Sequence, residues 1–113
     1  MRTEDITDAY HNGISDVMVE ADGTVDRLLS DDTVGSRHQR FILRVGPRHT
    51  VLIAHNIDPD IGSRVDNIQV GDTVHFRGEY EWSELGGILH WTHRDPDKEH
   101  PDGWIEHNGV RYW

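Results

Sequence analysis

The chain has 113 residues, of which 35% are hydrophobic and 28% charged, with a formal net charge of −10 and no cysteine. This length accommodates one domain, residues 1–113. The lack of cysteine excludes disulfides, thiolate metal sites and cysteine nucleophiles, and the acidic balance argues against a protein that binds nucleic acid chiefly through its phosphates.

The sequence shows neither a membrane-spanning segment nor an N-terminal secretory signal. The sequence has no apolar run of about 18 residues, which excludes a membrane-spanning helix. The N-terminal stretch lacks the basic segment and apolar run of a secretory signal. We therefore expect a cytoplasmic protein by default. A mature chain that restarts with Met would look the same, which leaves export open.

Residues 1–14 predict a short helix or an N-terminal arm. Thr3 is a candidate N-cap, Ile6 and Tyr10 form one apolar stripe, and Gly13 suits the position after the C-cap. The helix would span residues 3–12, and a frayed arm is the alternative.

Residues 15–95 alternate between apolar and polar side chains, which is typical of strands with one buried face. The predicted strands span residues 17–29, 37–45, 50–55, 73–82 and 88–92. Gly23 predicts a bulge or bend that lets the first strand serve both sides of a barrel. In the fourth strand, Phe76, Tyr80 and Trp82 share the face that we expect in the core. The third strand is mostly apolar, as expected for a strand covered on both faces.

The other segments predict connections and one hairpin. Residues 56–70 contain Pro59 and Gly62 and predict a connection with one helical turn near residues 64–67. In the C-terminal tail, residues 96–113, the pair Asn108-Gly109 predicts a two-residue hairpin turn. The whole pattern predicts an all-β protein: a small five-stranded OB-like antiparallel barrel with a short N-terminal helix and a C-terminal hairpin tail. Another five- or six-stranded antiparallel barrel is the alternative.

Several motifs point to a family. They are GSRHQRF at residues 35–41, AHNID at 54–58, GDTVHFRGEYEW at 71–82, GGILHWTHRDP at 86–96, and a tail that contains GWI, His107 and Gly109. With this pattern the chain resembles an uncharacterised bacterial domain-of-unknown-function family, from about Val17 to Tyr112. The resemblance implies a barrel of the OB kind and no particular activity.

The barrel topology predicts a site at one rim. In an OB-like barrel the start of the second strand and the ends of the third and fifth strands meet at the same rim. Polar residues occupy all three places, and the neighbouring Trp91 could stack on a ligand. The candidate ligand-binding residues are Arg37, His38, Gln39, Arg40, His55, Asn56, Asp58, Trp91, His93 and Asp95.

These residues leave several functions open. The first is binding of single-stranded nucleic acid or another small ligand. The second is a metal-dependent hydrolase, in which His38, His55 and His93 hold a divalent transition metal with a nearby carboxylate. A metal-free variant would use histidine as general acid or base. A protein-interaction or oligosaccharide-binding module is a further alternative, and the histidines could instead be hydrogen-bonded structural residues. The oligomeric state is not predicted.

The motif His90-x-x-His93 predicts no metal site by itself. In a strand, side chains three residues apart point to opposite faces, so both imidazoles reach one ion only across a bulge or loop.

Overall fold

The computed structural model describes residues 4–113, so the predicted N-cap Thr3 lies outside the described residues. One helix and seven strands form in chain order. They are α1 (Ile6–His11), β1 (Val17–Leu28), β2 (His38–Gly46), β3 (His49–Asn56), β4 (Thr73–Glu81), β5 (Ile88–His90), β6 (Trp104–His107) and β7 (Val110–Tyr112).

Helix α1 is shorter than predicted because its cap lies further along the chain. The side chain of Asp5 accepts hydrogen bonds from the backbone N–H groups of Thr7 and Asp8, which would otherwise lack partners in the first turn. At the other end Gly13 has φ +65°, the left-handed conformation expected after a C-cap.

The first five strands form a closed barrel, as predicted. Strand β1 pairs with β4 from Val17 to Thr24 and with β2 from Thr24 to Leu28. The order is β1-β2-β3-β5-β4, and the β4–β1 pairing closes it. Strands β3 and β5 run parallel, and the other neighbouring pairs are antiparallel.

The sequence predicted a bulge or a bend at Gly23, and the register of β1 tests the bulge. The register shifts between Val25 and Arg27, so the bulge is not at Gly23. Gly23 instead permits a close approach to β2, because a Cβ there would lie 3.1 Å from Arg44 O and 3.1 Å from Leu43 Cβ.

The core lies inside the barrel and follows the predicted alternation. Side chains from every barrel strand, and Val65 from the connection between β3 and β4, have 1% exposure or less. The strand residues are Val19, Val25, Phe41, Leu43, Val51, Ile53, Val74, Phe76, Tyr80 and Leu89. The outward residues Thr50, Leu52 and Ala54 are only partly buried, so β3 is not covered on both faces along its length as predicted.

The prediction that Trp82 belongs to the core is wrong. Strand β4 ends at Glu81, so its alternation does not continue to Trp82, which is 44% exposed. The indole Nε1 donates to the carbonyl of Tyr10, and the two rings stack with centroids 6.4 Å apart. Trp82 therefore holds α1 against the outside of the barrel.

Two more local predictions are wrong. Residues 64–67 form no helical turn, because Gln39 accepts a hydrogen bond from Val65 N and donates one to Val65 O. Strand β5 ends at His90 rather than residue 92, because Trp91 has φ +53°, which no strand residue adopts.

The predicted tail hairpin is confirmed, and it extends the sheet. Strand β6 pairs with β4 through the register His75↔Glu106 to Arg77↔Trp104, and β7 pairs with β6. Among residues 4–113, no helix has the length and apolar character needed to cross a membrane.

The turn between β4 and β5 gives a stability prediction. Gly87 has φ +105°, and a Cβ there would lie 2.3 Å from the ring of the fully buried Tyr80. We expect Gly87→Ala to lower the free energy of unfolding by more than about 3 kcal/mol, from backbone strain and overpacking together. Urea unfolding measures this loss.

Gly35→Ala is the matched control, because Gly35 has φ +72° and a Cβ there would meet nothing within 4 Å. This variant carries the backbone strain alone and should lose about 1 kcal/mol. Equal losses in the two variants would contradict the packing argument.

Candidate functional site: a cleft at the barrel rim

The rim holds an open cleft of about 420 Å³, at the start of β2 and the ends of β3 and β5. Five of the predicted residues line it: His38, Asn56, Trp91, His93 and Asp95. The other lining residues are Ala54, Ile61, His90, Pro96 and Asp97. The three predicted corners of the chain thus meet at one site.

His55 lies beneath the cleft and is fully buried. Its Nε2 is 2.7 Å from the carbonyl of Ser63 and must donate, and its Nδ1 is 2.6 Å from Thr92 Oγ1 and can accept. The pKa of His55 is lowered to about 4: burial is the largest cause, His93 and His38 contribute in the same direction, and the Ser63 hydrogen bond opposes them. His55 is therefore neutral near pH 7, and no ring nitrogen is left for a metal or a ligand.

Gln39 and Arg40 were predicted to contact a ligand, and neither lines the cleft. Gln39 is buried, and its amide pairs with the backbone of Val65. Arg40 projects outward, and its Nε donates to the carbonyl of Ser30 at 3.0 Å.

Arg37 and Asp58 pair with each other beside the cleft. Asp58 Oδ1 accepts from the backbone N–H of Arg37 at 3.2 Å and lies 3.7 Å from its Nε. Asn56 accepts from the backbone N–H of Asp58 at 2.8 Å. These contacts shape the chain after β3, so Asp58 is a loop-ordering residue in this structure.

His38 and His93 can offer acceptor atoms to a ligand. Nδ1 of His38 lies 3.0 Å from the carbonyl of Ser36, and Nδ1 of His93 lies 2.8 Å from the carbonyl of Arg94. A carbonyl only accepts, so Nδ1 carries the proton in both rings. In the neutral ring the lone pair is then on Nε2.

Trp91 packs between imidazoles on the cleft wall. Its ring stacks on His100 with centroids 3.9 Å apart, and His93 lies at 4.7 Å in a tilted arrangement. Its Nε1 is buried without a hydrogen-bond partner among residues 4–113. The indole N–H is therefore an unsatisfied buried donor, and two imidazoles contact the ring.

Asp95 organises the loop that borders the cleft. Its carboxylate accepts from the backbone N–H groups of Asp97, Glu99 and His100. These bonds, the one from His100 foremost, lower the pKa of Asp95 below its usual value. The carboxylate stays ionised, and it positions residues 95–100.

Sequence reasoning missed the cluster that is best placed to hold a metal. Within residues 4–113, the group whose candidate ligand atoms all lie within 4.8 Å of one another is Glu79, Glu81 and His90. His38, His55 and His93 form no such group in this part of the chain. The signal that could have found the cluster is the alternation Glu79-x-Glu81 on the outward face of β4. To place His90 beside these two carboxylates, the sequence would also have had to reveal the β4–β5 register, in which Glu79 pairs with His90.

The fold and the site define a small closed β-barrel with a polar cleft at one rim. The chain belongs to the family described as protein of unknown function (DUF3465), whose model matches residues 2–113. The predicted membership in a domain-of-unknown-function family is thereby confirmed. No curated protein and no solved structure matches the chain.

Buried His55 gives a pH prediction. Its pKa is about 4 in the fold against an ordinary histidine value of 6.5, so the unfolded chain takes up a proton first as the pH falls. We expect the free energy of unfolding to decline from about pH 6.5 to pH 4. His55 alone should account for up to about 3 kcal/mol of this decline.

The contribution of His55 is measured by urea unfolding of wild type and His55→Gln between pH 7 and pH 4. The variant should be less stable at pH 7 and should lose less stability on acidification. Parallel pH profiles of the two proteins would contradict the assignment.

Proposed function

We propose that the protein is a ligand-binding domain that holds an extended ligand along the outer face of β2, β3 and β5, with single-stranded nucleic acid as the ligand class. The observation that supports it is that an apolar groove and the rim cleft lie on the same outer face of the sheet.

The apolar end is a groove of about 300 Å³. Ile42, Leu52 and Ile88 contribute to its floor from β2, β3 and β5, and Leu85 projects beside it with 86% exposure. Accessible apolar side chains of this kind are suited to contact with the faces of planar bases.

The groove and the cleft lie on the same side of the sheet. Leu52 lines the groove and Ala54 the cleft, two positions apart on β3, and Ile88 and His90 have the same relation on β5. Side chains two apart in a strand share a face. A ligand lying along β3 would contact apolar side chains at the groove and hydrogen-bonding groups at the cleft.

The ligand class comes from the barrel type and from the chemistry of this face. The strand order matches that of OB barrels, which bind oligonucleotides and oligosaccharides on the strand 2–3 face. That step is an analogy of fold. Bases combine apolar faces with hydrogen-bonding edges, and the face offers apolar side chains together with the Nε2 acceptors of His38 and His93.

The charges on this face predict how such binding depends on salt. Arg40 and Arg44 project from β2, with Arg37 just before it, and two of the three are paired: Arg44 with Asp26 and Arg37 with Asp58. Three arginines neutralise at most three phosphates, so the slope of log K against log salt should be about −2 or shallower.

A hydrolase that uses the rim histidines is the second candidate. The tautomers of His38 and His93 place a basic lone pair on Nε2, as a general base requires. If the cleft cleaves its ligand, His38→Gln should abolish turnover and leave ligand binding within a few-fold.

The binding proposal is tested with short labelled DNA and RNA single strands of mixed sequence at low salt. We expect Leu85→Asp to weaken binding about tenfold, because it removes apolar contact and repels phosphate. Fluorescence anisotropy across a salt series measures the affinity and its salt slope.

Val70→Asp is the matched control, since Val70 is 62% exposed and does not line the groove. It adds the same charge and should bind as wild type does. The absence of binding at low salt, or equal weakening in both variants, would reject nucleic acid as the ligand. Tighter binding of an oligosaccharide or a protein would identify the other classes that such barrels serve.

A further inference from the structure

A compact donor set lies on the outer surface where β4 meets β5. Glu79 and Glu81 are two apart on β4 and share a face, and His90 pairs directly with Glu79 across the two strands. His90 Nε2 lies 3.3 Å from Glu79 Oε2 and 3.2 Å from Glu81 Oε1. Three side chains from two adjacent strands thus converge on one point.

His90 Nε2 shows that these contacts are not ordinary hydrogen bonds. The atom is buried and has no hydrogen-bond partner among the described residues, although two carboxylate oxygens lie close to it. A buried polar nitrogen without a partner costs free energy, and such atoms are few in folded proteins. A group that binds all three atoms at once would remove this cost.

The distances fit a metal ion. Two ligand atoms on a tetrahedral ion lie about 1.6 bond lengths apart, which is about 3.3 Å for zinc bonds to nitrogen and oxygen of about 2.0 to 2.1 Å. The two distances from His90 Nε2 match this value. One imidazole and two carboxylates are also a donor set that divalent first-row transition ions accept.

The surroundings support the donor set. The second oxygen of Glu79, Oε1, lies 2.9 Å from Nε2 of His100, whose Nδ1 faces the carbonyl of Pro101. Ligating carboxylates are commonly held by such outer hydrogen bonds. Among residues 4–113, the ion-pair partners of Glu79 and Glu81 are histidines, so no arginine or lysine neutralises these two carboxylates.

We propose that Glu79, Glu81 and His90 bind a divalent transition-metal ion, with Zn²⁺ as the ion that best fits the distances. The site differs from the predicted set of His38, His55 and His93, and it does not depend on the proposed nucleic-acid function. His90 also lines the cleft, so the ion would sit at the cleft wall. Three protein ligands leave at least one coordination position open, as catalytic zinc sites do.

The chain offers a matched control on the same face of β4. His75 also has two carboxylate neighbours, but one ring nitrogen lies 3.1 Å from Glu20 and the other lies 2.8 Å from Asp22. The two carboxylates therefore flank opposite sides of the imidazole and do not converge on one nitrogen. His75→Gln removes a comparably exposed imidazole and leaves the proposed site intact.

The test uses untagged protein, purified without a metal column and treated with a chelator. Co²⁺ is titrated as the probe, since four-coordinate Co²⁺ absorbs strongly in the visible range, and Zn²⁺ is then added in competition. We expect one ion per chain in wild type and in His75→Gln. His90→Gln and Glu81→Gln should lose more than about 100-fold in affinity, and His100→Gln about 10- to 100-fold.

Circular dichroism of each metal-free variant checks that the barrel is folded, and thermal unfolding gives a second readout. Zn²⁺ should raise the melting temperature of wild type and His75→Gln and leave that of His90→Gln unchanged. The proposal is overturned if wild type binds less than one ion, if His90→Gln binds as wild type does, or if His75→Gln abolishes binding.

Discussion

The structure depends on the double pairing of β1. A single strand of 12 residues bonds to β4 with its first part and to β2 with its last, and Thr24 belongs to both registers. The bulge after Val25 adds the local twist that such a change of partner needs. Closure removes the free edge between β1 and β4, and it brings the start of β2 and the ends of β3 and β5 to one rim. The cleft is therefore a consequence of the way the barrel closes.

Polar side chains beneath the rim hold its segments in place. His55 links the end of β3 to Thr92 after β5 and to Ser63 in the connection, and Gln39 clamps the same connection at Val65. Each buried polar atom in these links has a partner, which is the condition for tolerating it in a core. In the sequence such residues resemble ligand-binding residues, because a polar side chain at a strand end can either bind a ligand or hydrogen-bond to a loop. Their hydrogen-bond partners in the fold distinguish the two roles.

Period-two alternation predicted the five barrel strands and the inward face of β2 and β4, and the barrel topology then predicted that three distant segments meet at one rim. It failed where a non-local contact set the outcome. Trp82 follows the apolar face of β4, yet the strand ends before it and the ring packs on Tyr10. The Glu79–His90 pairing could not be predicted because it depends on the β4–β5 register. One residue more or less in the Gly86-Gly87 turn would move His90 to the other face.

The charge distribution connects the two proposals. His90, Asp95 and Asp97 line the cleft, and His90 contacts Glu79 and Glu81 behind it, on a chain of net charge −10. Such a wall repels phosphate. A divalent ion would be the largest local charge there, and it would convert the wall into a surface that attracts phosphate oxygens through its open position. An acidic barrel could then bind an anionic ligand with few arginines.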